Sequence, residues 1–251
     1  AGLFPPPPAV AVRAAAHAAA RARTGSGDFP PQTRWGKLAD ALTTGGRMLD
    51  VYQTAYALFT RDFLHELSPT MNGSMRSGLP ASRAAELEAL IRDDSEQSAI
   101  SALELSCFLS ERLLRDTDTA SMAVSLEVRV PLLDHEVIES LTQLDDRTRF
   151  RPVGRKQLLR DLALKDLDPT IFDRPKSGFV LPIEVWSRQG LRGQIAELFA
   201  DRHLCQSVGV CPDALARLWR AYESGAPGLY WSRIWALFVL LWWSRRHKVS
   251  L

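Results

Sequence analysis

Cysteine is scarce, with three in a chain of 251 residues. An odd and small number does not build a disulfide framework, so a stapled secreted scaffold is excluded and a reducing cytoplasm is the expected setting. Long apolar runs are missing as well. The most hydrophobic one, Ile234 to Trp243, is about half of what a helix needs to cross a bilayer. The Ala-rich stretch from Val10 to Ala22 is interrupted by Arg13, His17 and Arg21, and does not make a secretory signal. Charge of one sign is lacking too: 31 Lys and Arg stand against 29 Asp and Glu, a net +2. Such a balance gives no field to draw nucleic acid or an anionic membrane, and any anion site must be local. No internal repeat is present, and no strand-like alternation runs longer than about five residues, so a mainly α fold is expected.

What is there is helical periodicity. Leu38, Leu42, Leu49, Tyr52, Tyr56, Phe59 and Phe63 recur at helix spacing, with Gly45-Gly46 dividing two helices. Pro, Asn and Gly between Ser68 and Pro80 predict a loop, and Ser82 suits the cap of a helix burying Leu87, Leu90 and Ile91. Further helices are predicted over about Ser98 to Leu114, after Asp134 as N-cap with Val137, Ile138 and Leu141 on the helix, and over Arg155 to Lys165 with Leu158, Leu159 and Leu162 inward. Pro169 and Pro212 suit first turns. Trp231, Trp235, Phe238 and Trp242 form one stripe that core packing explains. Residues 1–33, with Pro5 to Pro8 and a Gly/Pro/Ser-rich stretch at Thr24 to Gln32, are expected to be a variable, loosely held segment. Residues 34–251 are expected to form one helical body starting near Trp35.

Two blocks break the pattern. Leu113 to Asp134 (LLRDTDTASMAVSLEVRVPLLD) and, about forty residues further on, Asp173 to Trp186 (DRPKSGFVLPIEVW) set charged residues inside apolar stretches, where a purely structural segment avoids the desolvation penalty. In the second block Pro175 stiffens the approach, Gly178 leaves the backbone free to turn, and Lys176 between them is a point charge suited to phosphate. In the first, Glu127 and Arg129 are two apart, so on extended backbone they point the same way, and a buried ion pair is expected. Asp118 and Ser121 suit helix caps. His203, Cys205 and Cys211 match no zinc spacing and lack a fourth ligand, so no metal site is assigned.

These two blocks resemble the synthetase domain of the glutamine-dependent asparagine synthetase family, and Met48 to Leu64 and Leu229 to His247 resemble that family's later helices. The family's Ser-Gly-Gly-x-Asp-Ser phosphate loop, Gly-Gly-Asp-Glu acidic loop and cysteine glutaminase are not found in the sequence. The resemblance therefore implies the helical C-terminal half of an adenine-nucleotide-hydrolase-like α/β synthetase domain, inactive alone and needing the missing N-terminal half or a partner chain. It implies ATP and Mg2+, with aspartate and glutamine-derived ammonia as substrates and asparagine, AMP and pyrophosphate among the products. By resemblance Lys176 is the catalytic cation, and Arg174, Ser177, Gly178, Glu127, Arg129 and Asp118 shape the substrate or phosphate pocket. Three rival readings are carried alongside: a non-catalytic helical interaction module, a split subunit, and a related synthetase forming another amide or a β-lactam.

Overall fold

A computed structural model describes residues 15, 18, 19, 32, 37–42, 44–70, 75–76, 78–173, 178 and 181–250. Among these the chain is mainly helical, and its one sheet is a two-residue antiparallel pair, β1 (Met75–Arg76) with β2 (Leu79–Pro80). That pair lies where turn residues predict a loop, and Gly78 at φ 81° makes the reversal between its strands. Two compact units divide the chain: Ala1–Ala85 with Val180–Leu251, and Glu86–Phe179.

The first unit holds the main apolar core. Helices α1 (Leu38–Leu42), α2 (Met48–Tyr56) and α3 (Arg61–Leu67) come from its N-terminal part. Thr60 starts α3 by accepting from the Phe63 amide, as an N-cap does. After α4 (Ala81–Leu90), which opens one residue before Ser82 and so carries that serine inside its first turn, the chain leaves this unit. It returns with α11 (Ile183–Arg188), α12 (Arg192–Ala200), α13 (Arg202–Ser207), α14 (Pro212–Glu223) and α15 (Trp231–His247). α12 packs on α14 and α15, and α14 packs on α3. Phe63, Ile195, Leu215, Leu218, Ile234 and Leu241 fill the space between them.

The faces these helices bury differ in places from the sequence expectation. Leu42 and Tyr56 are exposed although their spacing is that of the buried Leu49, Tyr52 and Phe63. On α15 the buried row is Ile234, Leu237, Phe238 and Leu241, while Trp242 lies exposed under the Arg246 guanidinium and Trp231 and Trp235 are half-buried at the edge. Neighbouring helices approach on the aliphatic side, and indoles are wide enough to serve at the rim.

Backbone groups at the junction of α2 and α3 are satisfied by side chains from distant positions. Arg233 donates to the Leu58 and Gln32 carbonyls, Lys37 to the Ala55 and Ala57 carbonyls, and Asp40 accepts from the Arg61 amide. Burial, and then the Arg233 charge nearby, lowers the Lys37 pKa. A second polar tie joins α11 to α14, where the buried Ser187 hydroxyl meets Tyr222 Oη at 2.7 Å and Arg188 lies over the Tyr222 ring. Cys211 donates its amide to the Leu67 carbonyl, and Gly209, at φ 70°, turns beside it. A Cβ there would come within 3.0 Å of Thr70 Oγ1, so glycine is required twice over.

The second unit is built differently. α5 (Glu96–Leu103) continues through a segment widened to i→i+5 bonding (Glu104–Leu114) into α6 (Arg115–Met122), one unbroken helix longer than the predicted Ser98 to Leu114. α7 (His135–Thr142), α8 (Asp146–Phe150), α9 (Gln157–Ala163) and α10 (Pro169–Phe172) follow. Asp134 caps α7 through the Glu136 amide, as the sequence predicts, and Asp168 caps α10 through the Thr170 amide. Asp146 on α8 accepts from Ser95 and Ser98, which fastens α8 to the start of α5. Apolar burial is thin here: Leu87, Ala99 and Leu103 are the buried apolar residues among those described, Leu90 and Leu162, expected inward, are exposed, and so is Leu141.

Removing the Arg233 fork takes away the donor to the half-buried Leu58 carbonyl and a donor to the buried Gln32 carbonyl. Arg233→Met is expected to lower unfolding stability by about 3 kcal/mol in urea titrations, against a change within about 0.5 kcal/mol for the exposed Lys248→Ala.

Candidate functional site

Arg174, Lys176 and Ser177 lie outside the described residues, and Gly178 is exposed. The residues on either side of them in sequence are well defined. α10 ends at Phe172, and Asp173 donates its amide to the Pro169 carbonyl at 2.7 Å. Its carboxylate accepts from Arg160 Nη2 at 3.1 Å, while Arg160 Nε donates to the Arg155 carbonyl at 3.0 Å. The same guanidinium stacks 5.1 Å from the Phe172 ring centroid. These residues line an open cleft of about 650 Å³, whose walls also carry Gly154, Lys165 and Leu167. The Asp168 carboxyl, which starts α10, is held below the usual carboxylate range chiefly by the Thr170 amide. Sequence reasoning passed over Arg160, which reads as one more polar residue on the outer face of a helix; its spacing from Asp173 carries no signal until α9 and α10 fold together.

The other candidate segment follows α6 through a turn at 123–125 and runs over 126–130 without helix or strand. Glu127 and Arg129 form the ion pair that their spacing predicts, Arg129 Nε to Glu127 Oε1 at 2.9 Å. Burial was expected and is not found, since the side chains are 82% and 70% exposed for Arg129 and Glu127. An exposed pair of this kind contributes roughly 0.2–1 kcal/mol, so it is no structural clasp. Asp118 sits on the exposed surface of α6, away from any helix start, and Ser121 hydrogen-bonds back to its carbonyl at 3.2 Å. Neither residue is an N-cap, because α6 continues from the helix before it. Around the pair, Met122, Val124, Leu126, Val128, Val130 and Leu132 are all exposed, alternating with Glu127 and Arg129. No backbone hydrogen bond from the amides of Glu127, Val128 or Arg129 forms among the described residues. A run of uncovered apolar side chains beside amides that lack backbone partners is a surface suited to being covered.

His203, Cys205 and Cys211 do not converge, and among the described residues no group of three or more His, Cys, Asp or Glu side chains is placed to hold a metal. Cys205 is buried on α13, and burial pushes its thiol from the ordinary 9.0 up to about 11. A protonated, enclosed thiol is a poor nucleophile.

The chain matches the family model described as asparagine synthase over residues 7–245. Proteins of Mycobacterium tuberculosis and Mycobacterium bovis named as glutamine-hydrolysing asparagine synthetases are 37% identical to it over 89 residues, 35% of this chain and 14% of theirs. A Bacillus subtilis protein named glutamine-hydrolysing asparagine synthetase 1 is 25% identical over 107 residues, 43% of this chain and 17% of its own length. The matched segments thus span well under two thirds of these relatives. No solved structure is significantly similar to the chain.

The raised Cys205 thiol sets a pH dependence. The unfolded thiol ionises from about pH 9 while the folded one holds its proton to about 11; stability is therefore full below the first value and falls across that window. Urea midpoints should drop between those pH values in the wild type and drop less in Cys205→Ala, and iodoacetamide at pH 8 should label Cys107 and Cys211 ahead of Cys205.

Proposed function

Because the chain belongs to the asparagine synthase family, we propose that it supplies the helical C-terminal part of an ATP-dependent, asparagine synthetase-like amidotransferase. In that reaction ATP adenylates the side-chain carboxylate of aspartate, and ammonia released from glutamine attacks the acyl-adenylate. The carbon–nitrogen bond forms as the bond to AMP breaks, giving asparagine and AMP, with pyrophosphate released in the first step. Both steps develop negative charge that a fixed cation stabilises. Lys176 takes that part, with Arg174, Ser177 and Gly178 forming the phosphate-facing segment around it and Glu127, Arg129 and Asp118 on the substrate side.

The observation that carries this reading is the exposed segment 122–132. Its ion pair is open, its apolar positions are uncovered and the amides of Glu127, Val128 and Arg129 make no backbone hydrogen bond among the described residues, as a surface would be that is completed by an adenine-nucleotide-hydrolase-like half bearing the phosphate and acidic loops. Mg2+ would enter on the nucleotide phosphates, since that ion is commonly held by one or two carboxylates plus substrate oxygens. No helix among the described residues is long and apolar enough to cross a membrane, and a cytoplasmic setting is part of the proposal. The same exposed surface would serve a non-catalytic interaction module or split subunit; the Arg174 to Gly178 block favours catalysis, because a docking module has no use for a phosphate cation. Closure of a β-lactam ring or another amide would use the same adenylation chemistry on a different acceptor.

The test is amide formation and pyrophosphate release by the chain combined with a partner carrying the phosphate loop. Lys176→Ala should reduce the rate by about 10²–10³, and unchanged activity would remove Lys176 from catalysis. Glu127→Gln should reduce activity in the same assay while shifting unfolding stability by less than about 1 kcal/mol, the most an exposed pair supplies; a change in stability alone would reduce the pair to a structural one.

A further inference from the structure

We propose that α8 and the turn after it carry an anion site, built on Arg147, Arg151 and Gln97, that takes the phosphoryl group of a small phosphate ester. These three side chains, with Asp146, Pro152 and Val153, line an open cleft of about 860 Å³ in the second unit. None of them belongs to the segments given roles in the amidotransferase reading above. With so even a balance of charge over the whole chain, an anion has to be drawn by a local excess. This stretch holds one, since Arg147, Arg149, Arg151 and Arg155 follow one another at every second or fourth position.

The nearby carboxylates are engaged elsewhere. Asp145 accepts from the Thr148 amide and hydroxyl at 3.0 and 2.8 Å, and Asp146 accepts from the Ser95 and Ser98 hydroxyls. Arg149 is committed as well, donating to Ser98 Oγ at 3.2 Å and lying over the Phe150 ring. Among the described residues Arg147 and Arg151 are left with no ion pair, and Gln97 with no side-chain hydrogen bond. Two free guanidiniums thus line the cleft beside one carboxylate whose oxygens are both in use. The Asp146 bonds also fasten α8 to α5, so Arg147 and Gln97 are presented from backbones held together. Guanidiniums offer paired donors that match phosphoryl oxygens, and two of them suit a dianion better than the single charge of a carboxylate. Gln97 supplies an amide N–H besides. Pro152 and Val153, the latter 71% exposed, give the cleft an apolar wall that gains by contact with the organic part of an ester.

Calorimetric titration of the full chain at low salt, with inorganic phosphate and with phenyl phosphate, tests the site. Both should bind, phenyl phosphate about fourfold more tightly, as one methylene-sized apolar contact gives. Arg147→Gln and Arg151→Gln should each weaken both by about tenfold, the loss of a charge-assisted hydrogen bond. Val153→Ser should remove only the advantage of phenyl phosphate. Gln97→Ala, expected to weaken both about fivefold, keeps the question measurable should an arginine variant fail to fold. Lys248→Gln and Lys176→Ala each remove a positive charge outside the cleft and should leave both affinities unchanged, the second separating this site from the phosphate-facing segment. Failure of either compound to bind, equal affinity for the two, or as large a loss in Lys248→Gln or Lys176→Ala as in the arginine variants would overturn the proposal.

Discussion

A bend between two helices leaves carbonyls that no helix can satisfy, and the first unit is organised around meeting that need. Between α2 and α3 the carbonyls of Ala55, Ala57 and Leu58 take their donors from Lys37 and Arg233, in partly buried hydrogen bonds. Arg233 stands on the last helix, some 175 positions along the chain from Leu58. Satisfying buried acceptors in this way ties both ends of the unit to its middle, because a buried carbonyl without a donor is costly. The Arg233 charge disfavours a second cation at Lys37, and Asp40 offsets part of that. The apolar core of Phe63, Leu215, Leu218, Ile234 and Leu241 then packs on helices whose approach is already set.

The second unit has no such centre. Its cohesion comes from local devices: the Asp134, Asp145 and Asp168 caps, the Asp146 clasp and the Arg160 fork. With little apolar area buried, these contacts define helices without sealing a core. The segments that carry the proposed chemistry lie in this unit. A surface that keeps Val124, Leu126 and Val128 in water sacrifices stability in the isolated chain, and an interface that covered them would recover it.

Much of this was legible in the sequence, for identifiable reasons. N-caps are local: an Asp two or three residues ahead of an amide satisfies it whatever the rest of the chain does, so Asp134 fell where predicted. The pairing of Glu127 with Arg129 is likewise local, a consequence of side chains two apart on extended backbone. Their exposure was not legible, since burial depends on what lies opposite. The same holds for Leu42, Tyr56, Leu162 and Trp242, whose spacing marks a helix face but not whether a neighbour reaches it. Arg160 escaped notice because its partners, Asp173 and the Arg155 carbonyl, meet only once two short helices fold back on each other.

The sequence by itself determined the helical class, the helix starts at Asp134, Pro169 and Pro212, and the family, because periodicity, capping and motif residues act over a few positions. Tertiary structure alone decided which faces are buried, which distant side chains satisfy the α2–α3 bend, and that the segment 122–132 lies open. Those outcomes depend on contacts between positions far apart in the chain, and a side chain's free energy of burial belongs to the pair of surfaces that meet, not to either stretch of sequence.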